Sequence, residues 1–309
     1  MEYIIYKLNF QGPVHLGSKT LESSEYSFGA DTLFSALCIE ALKQGTEVLE
    51  ELHQITESGK IALSDAFPYI AEEYYLPKPM LRIQDEAKSG NSVVKKAYKK
   101  LKYVPVLQFS EYLKGEFDVL NAGTMSKLGR SSMKNAVAIR GEEKTEPYRV
   151  GMYYFHEGSG LYLIIGYDDD DALMLVEELL ESLSYSGIGG KRNAGLGRFT
   201  LMRGRMPKEL KELLTAEGNY SMLLSGALPT EEELPNVLPE ARYSLIKRSG
   251  FVASSAYAEN QSRKRDLYLF KAGSCFKERF RGDIYDVSTK EGSHPVYRYA
   301  KPLFLGVNV

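Results

Sequence analysis

The chain has no tryptophan, two cysteines and four histidines in 309 residues. Cys38 and Cys275 lie far apart with no C-x-x-C pair. Neither a zinc site nor a disulfide framework is therefore expected. His15, His53, His156 and His294 do not pair at metal-ligand spacing, so no metal or other cofactor is indicated. No apolar run of about 18 residues occurs, so no membrane-spanning helix is expected. The opening MEYIIYKLNF lacks the basic and apolar segments of a signal peptide, and a cytoplasmic protein is the expectation. No G-x-S-x-G surrounds Ser18, which excludes a hydrolase nucleophile elbow there.

Net charge is only −2, but the two signs are segregated. Residues 88–103 hold Lys88, Lys95, Lys96, Lys99, Lys100 and Lys102 and no acid. Residues 187–208 hold Lys191, Arg192, Arg198, Arg203, Arg205 and Lys208 and no acid. Residues 20–75 hold eleven acids against only Lys43 and Lys60. Such a chain can hold a polyanion on one face and a basic partner on another.

The stretch SGIGGKRNAGLGRF (186–199) carries five glycines and three basic side chains. It is not a P-loop, because Gly190-Lys191 is followed by Arg192 and Tyr185 stands where the first glycine belongs. It is not a dinucleotide fingerprint, because Arg192 or Thr200 occupies the third glycine position. A loop for a phosphodiester backbone and a flexible turn both remain open. His15, in the Gly/Pro loop after the first strand, suits hydrogen bonding in a turn or stacking on a base. A general base in RNA cleavage is the sharper alternative.

Periodicity predicts a strand over 3–10, helices over 28–45 and 47–55, and extended chain over 66–80. A basic helix is expected over 91–103. Residues 121–150 read as a long basic insertion whose first half has no regular period; excising 124–146 should spare the fold. A strand over 160–167 precedes a helix over 168–185. Asp168–Asp171 would cap and solvate that helix, as Asp31 or Thr32 would the first. Strands over 197–204, 219–227, 242–255, 265–287 and 301–309 complete the pattern. The fold class is α+β, with a boundary near 205–218.

Together, the GPVHLGS loop, FGADTLFSAL, YYLPKPM, the basic insertion, SGIGGKRNAGLGRF and FKAGSCF resemble the RAMP superfamily of CRISPR proteins. In detail they are similar to the family of the fourth Csm subunit of type III-A effector complexes. The resemblance covers nearly the whole chain. It implies two ferredoxin-like (RRM-type) domains in tandem, 1–205 and 206–309, with a β-hairpin thumb at about 121–150. It implies a non-catalytic subunit in antiviral defence that grips the 5′ tag of CRISPR RNA. The partners would be the large polymerase/nuclease subunit, the first backbone subunit, and target RNA near the tag–guide junction. The implied RNA-binding residues are His15, Ser18 and Lys19; Lys127, Arg130, Met133, Lys134 and Arg140 on the thumb; and Gly187, Gly189, Gly190, Lys191, Arg192, Asn193, Gly195 and Gly197 in the loop. Arg248, Ser249, Gly250 and Phe251 would meet the terminal nucleotides. A metal-independent RAMP endoribonuclease using His15 is the alternative.

Overall fold

Side-chain alternation explains the central sheet. In the strand Ser159–Tyr167, Leu161, Leu163 and Ile165 enter one core, and Tyr162 and Ile164 enter another. Such a strand is apolar on both faces and must be covered on both. In this computed structural model it pairs antiparallel with Glu2–Phe10, which pairs antiparallel with the edge strand Phe199–Gly204. On its other side lie Ile61–Leu63 and Phe67–Ile70, then Glu73–Pro77 and Tyr103–Pro105. The structure describes residues 1–309 except 18–19, 84–91, 121–122, 141–143, 254–256, 259 and 291.

Helices Ala30–Gln44, Thr46–Glu57 and Asp170–Ser186 cover the first face. The stripe Leu33, Phe34, Leu37 and Ala41 is buried, as the period predicts. Asp169 caps its helix by accepting the Ala172 N–H at 2.7 Å. The first helix is capped differently from expectation. It starts at Ala30, inside which Asp31 already lies, and no side chain at its own N-cap bonds it. Asp65 accepts the Ala30 N–H instead, at 2.8 Å.

The second face is covered by the C-terminal part. Leu210, Leu214, Met222, Leu224, Leu303 and Leu305 pack on Ile5, Phe67, Tyr162 and Ile164. Base stacking across an open sheet, the habit of common single-strand RNA modules, is thereby closed off. Within residues 206–309, Tyr220–Leu223 lies between Cys275–Phe276 and Phe304–Val307. Leu245–Arg248 pairs with Leu267–Phe270. Its described α-helices are short, Lys208–Thr215 and Leu234–Val237. Pro229, Pro235 and Pro239 restrict helix formation in the segment between the first two strands.

Buried and half-buried polar groups bind the two parts together. Asp65 Oδ1 accepts N–H groups from Ala30 and from Gly226, at 2.8 and 3.0 Å. Lys301 donates to the Glu57 carbonyl at 2.9 Å, at the C-terminal end of its helix, where the dipole favours a cation. Asp31 receives Arg248 and Arg298.

Burial pushes the Asp65 carboxyl up to about 6, against the two N–H bonds that hold it down. A carboxyl raised on folding favours the folded state below its unfolded value, near 3.8. That contribution is lost as pH rises through about 6. Asp65→Asn keeps an Oδ1 acceptor and removes the titration. Between about pH 4 and 7 the variant should gain on the parent by roughly 3 kcal/mol. Urea unfolding at both ends of that range would measure it. Parallel curves would show that burial does not shift this group.

Candidate nucleic-acid interface

The glycine loop is built for close packing. Gly197 has φ +80°, and a Cβ there would stand 2.0 Å from the Ile188 carbonyl oxygen. Gly189 has φ +94°, with the His15 carbonyl oxygen 2.6 Å from where its Cβ would be. Gly187 and Gly190 are equally crowded, by Leu196 and by the His15 ring. Gly195 alone of the five faces open space. The N–H groups of Gly187, Gly190, Gly195 and Gly197 all donate within the protein. Gly189, Gly190 and Gly197 hold the loop against residues 13–15, and the exposed parts are Lys191, Asn193, Ala194, Gly195 and Arg198. Arg192 is half-buried at the start of a 3₁₀ turn.

His15 lies beneath this loop. It is 7% exposed, and its Nδ1 donates to the Gly151 carbonyl at 2.6 Å. Ser18 and Lys19 lie outside the described residues.

The basic insertion is a long hairpin. Gly129–Arg140 pairs with Lys144–Phe155 from Gly129↔Phe155 to Arg140↔Lys144. Gly151–Phe155 forms the base of its returning strand. Register puts Arg130 and Lys134 on one face, opposite Tyr154 and Val150, whereas the Arg140 side chain lies outside the described residues. The Arg130 guanidinium lies over the Tyr154 ring at 5.6 Å. Lys191 of the glycine loop lies over the Tyr148 ring at 4.8 Å on that same face. Met133 and Val137 are exposed on the other face. Lys127 is exposed at the root.

Leu128 is 1% exposed and joins the main core, so excising 124–146 would cut into that core. A cleaner cut replaces 135–149 with Asn-Gly, closing the hairpin at Lys134↔Val150. That variant should unfold cooperatively, with its melting temperature within a few degrees of the parent. Loss of cooperativity in calorimetry would make the arm part of the folding unit.

A groove of about 1150 Å³ opens between the two parts of the chain. This exceeds the roughly 300–1,000 Å³ of small-molecule pockets. Its wall carries Lys78, Lys99, Lys102, Lys247, Arg248 and Lys271 against Glu25, Asp31 and Asp65. Lys78 donates to the Tyr98 carbonyl at 2.6 Å, and burial lowers its pKa. It thereby fixes the basic helix Ser92–Lys100, which brings Lys99 to the wall. Lys247 pairs with Asp266 at 2.7 Å. Lys99, Lys102 and Lys271 are exposed. Lys102 lies over the half-buried Tyr26 ring at 5.8 Å. Burial raises the Tyr26 hydroxyl to about 12, so this ring stays neutral. The groove runs on to Gly17 and Gly189, where the glycine loop begins.

Arg248 reaches this groove but is already engaged. Its Nε donates to Asp31 at 2.8 Å and one Nη to Thr32 at 2.7 Å. Ser249 also lines the groove. Phe251 is 52% exposed, with Arg263 over its ring at 5.7 Å. Gly250, with φ +140°, has open space around it. The structure thus places His15, the loop and the arm together, and Arg248 and Ser249 at the far wall. The sequence alone named none of Lys78, Lys99, Lys102, Lys247 and Lys271 as site residues, although Lys99 and Lys102 lie in the basic run 88–103. Lys78 sits within the YYLPKPM stretch and Lys271 within FKAGSCF, which was the available signal.

Residues 216–307 match the family model described as the CRISPR Csm4 C-terminal domain. A Csm4 protein of Mycobacterium tuberculosis is 40% identical over 295 residues, 95% of this chain and 94% of the relative. A chain solved in a Csm3–Csm4 subcomplex of a type III-A CRISPR-Cas interference complex is similar, with a TM-score of 0.68. It is 20% identical and each chain is covered in full. A chain from a Csm1–Csm4 cassette bound to pppApA has a TM-score of 0.60 at 21% identity, covering 99% of this chain and 97% of that one.

Proposed function

From the premise that the chain belongs to the Csm4 family of CRISPR Csm effector-complex subunits, we propose that it grips the 5′ tag of CRISPR RNA without cutting it. The observation that carries this is continuity: basic groove, glycine loop and hairpin arm adjoin, with Gly189 shared by groove and loop. A phosphodiester backbone is a string of like charges, which a lined basic groove suits. The tag lies along Lys99, Lys102 and Lys271, passes Lys191, Arg192 and Asn193, and reaches the arm. Arg130, Lys134 and Arg140 stand beside the tag–guide junction, with Met133 as an apolar wedge near target RNA.

Residues 1–205 form a ferredoxin-like unit in this reading. The strand order Phe199–Gly204, Glu2–Phe10, Ser159–Tyr167, Phe67–Ile70 supports it. Residues 206–309 form a second, reduced one. The complex is a cytoplasmic type III-A effector. The likeness to chains solved with Csm3 and Csm1 supports a backbone subunit and a large subunit as partners. The exposed acids Glu47, Glu50 and Glu51 offer a surface for one of them.

No observation favours the endoribonuclease. His15 is buried under Gly190 and is not among the groove-lining residues. The test uses the chain assembled with its partner subunits and labelled CRISPR RNA, with and without the tag, on native and denaturing gels. Tag-dependent binding with intact RNA is expected. Cutting at the repeat that His15→Ala abolishes would reverse the assignment.

A further inference from the structure

We infer that His15 is a positioning residue that locks the hairpin arm to the glycine loop, so that both present their cations to one RNA strand in fixed register. The functional half of this rests on the RNA-binding reading above; the mechanical half stands on the geometry alone.

Residues 13–15 touch both elements. Toward the arm, Val14 and Tyr153 exchange a reciprocal pair of backbone hydrogen bonds, each 2.9 Å. His15 adds its side chain, Nδ1 to the Gly151 carbonyl at 2.6 Å. A carbonyl can only accept, so Nδ1 carries the hydrogen. Toward the loop, Gly190 N–H donates to the His15 carbonyl at 2.8 Å, and Gly197 N–H to the Pro13 carbonyl at 3.0 Å. The ring fills the space under Gly190, where a Cβ would stand 2.7 Å from Cδ2. One residue therefore spends its side chain on the arm and its carbonyl on the loop. Beyond this segment, Leu196 meets Val150 and Met152, and Lys191 meets Tyr148.

A long two-stranded arm swings about its base unless the base is fixed. Without the His15 anchor, Arg130 and Lys134 would lose their register with Lys191. Phosphate contacts would form in fewer conformations, and affinity would fall without any contact being deleted.

Amide hydrogen exchange on the full chain without RNA tests the lock. His15→Ala should speed exchange in residues 150–154 and 187–197 together. His15→Asn, whose Nδ2–H replaces the Nδ1–H, should restore most of the protection. Gly190→Ala should disturb the parent, where the ring blocks its Cβ, and be tolerated in the His15→Asn background. In the assembled complex, His15→Ala should weaken binding of tagged CRISPR RNA roughly tenfold. The salt slope and the pH profile of binding should stay unchanged.

Unchanged exchange in either segment, or no relief of Gly190→Ala, would overturn the lock even if RNA binds as proposed. A salt slope lower by about 0.7 would make His15 a phosphate contact instead. Exchange that responds as expected, in a chain that ignores RNA, would keep the lock and refute only the RNA reading.

Discussion

Asp31→Ala is expected to destabilise the protein by about 3–5 kcal/mol, the cost of removing one partner from a buried ion cluster. The Asp31 carboxylate is 4% exposed and receives three charged hydrogen bonds. Arg248 approaches with Nε at 2.8 Å and Nη2 at 2.5 Å, a bidentate fork. Arg298 adds Nη1 at 2.6 Å, from a side chain 6% exposed. Burial already lowers the Arg298 pKa, with Arg248 pushing in the same direction and Asp31 opposing both. Its Nε lacks a partner among the described residues. Removing the carboxylate would leave the buried Arg298 guanidinium facing the half-buried one of Arg248. The cluster joins the first helix to strands Leu245–Arg248 and Tyr297–Tyr299, so the damage would fall between the two parts of the chain. Asp31→Asn keeps an acceptor for one arginine and should lose less. Urea unfolding measures both variants. A loss below about 1 kcal/mol for Asp31→Ala would mean that water reaches the cluster.

Changing Lys99, Lys102 and Lys271 together to glutamine should weaken tagged CRISPR RNA binding on the order of 100-fold, at about 1 kcal/mol per exposed phosphate contact. The dependence of log affinity on log salt should become shallower by about 2, three contacts at roughly 0.7 each for a single strand. All three are exposed, so the melting temperature should hardly move. Lys95, Lys96 and Lys100 are exposed on the same basic helix but do not line the groove, and they supply a matched control. Equal losses for both triplets would mean that general positive charge acts, rather than the groove. An unchanged slope in the groove variant would remove these lysines from the phosphate path.

Much of the scaffold was legible because its signals are local. The apolar stripe Leu33, Phe34, Leu37 and Ala41 depends on spacing and the continuous apolar run Leu161–Ile165 on composition, and both are buried as expected. The outgoing arm strand was not legible. Ser131, Ser132, Met133, Lys134 and Asn135 offer no alternation, and this strand takes its shape from backbone pairing with 149–153. The partners of Asp31 were hidden for another reason: they are 217 and 267 residues away along the chain. A capping role is the cheapest local explanation of an Asp at a helix start, and here a remote ion cluster outweighs it. Glycines 187, 189, 190 and 197 suggested a backbone bared to a ligand, whereas they serve contact with residues 13–15 and within the loop. The groove was invisible because segments near 26, 78, 102, 247 and 271 meet only after folding.

Photo-crosslinking tests the central claim most directly. The complex would be assembled with CRISPR RNA carrying a photoreactive nucleotide within the 5′ tag, and the adducts mapped by mass spectrometry. Adducts should fall on the groove wall, around Tyr26, Lys102 and Lys271, and on the loop near Lys191. They should vanish when the label is moved far into the guide. Tag adducts confined to other surfaces of this chain, or to the partner subunits, would contradict the groove as the tag's binding site.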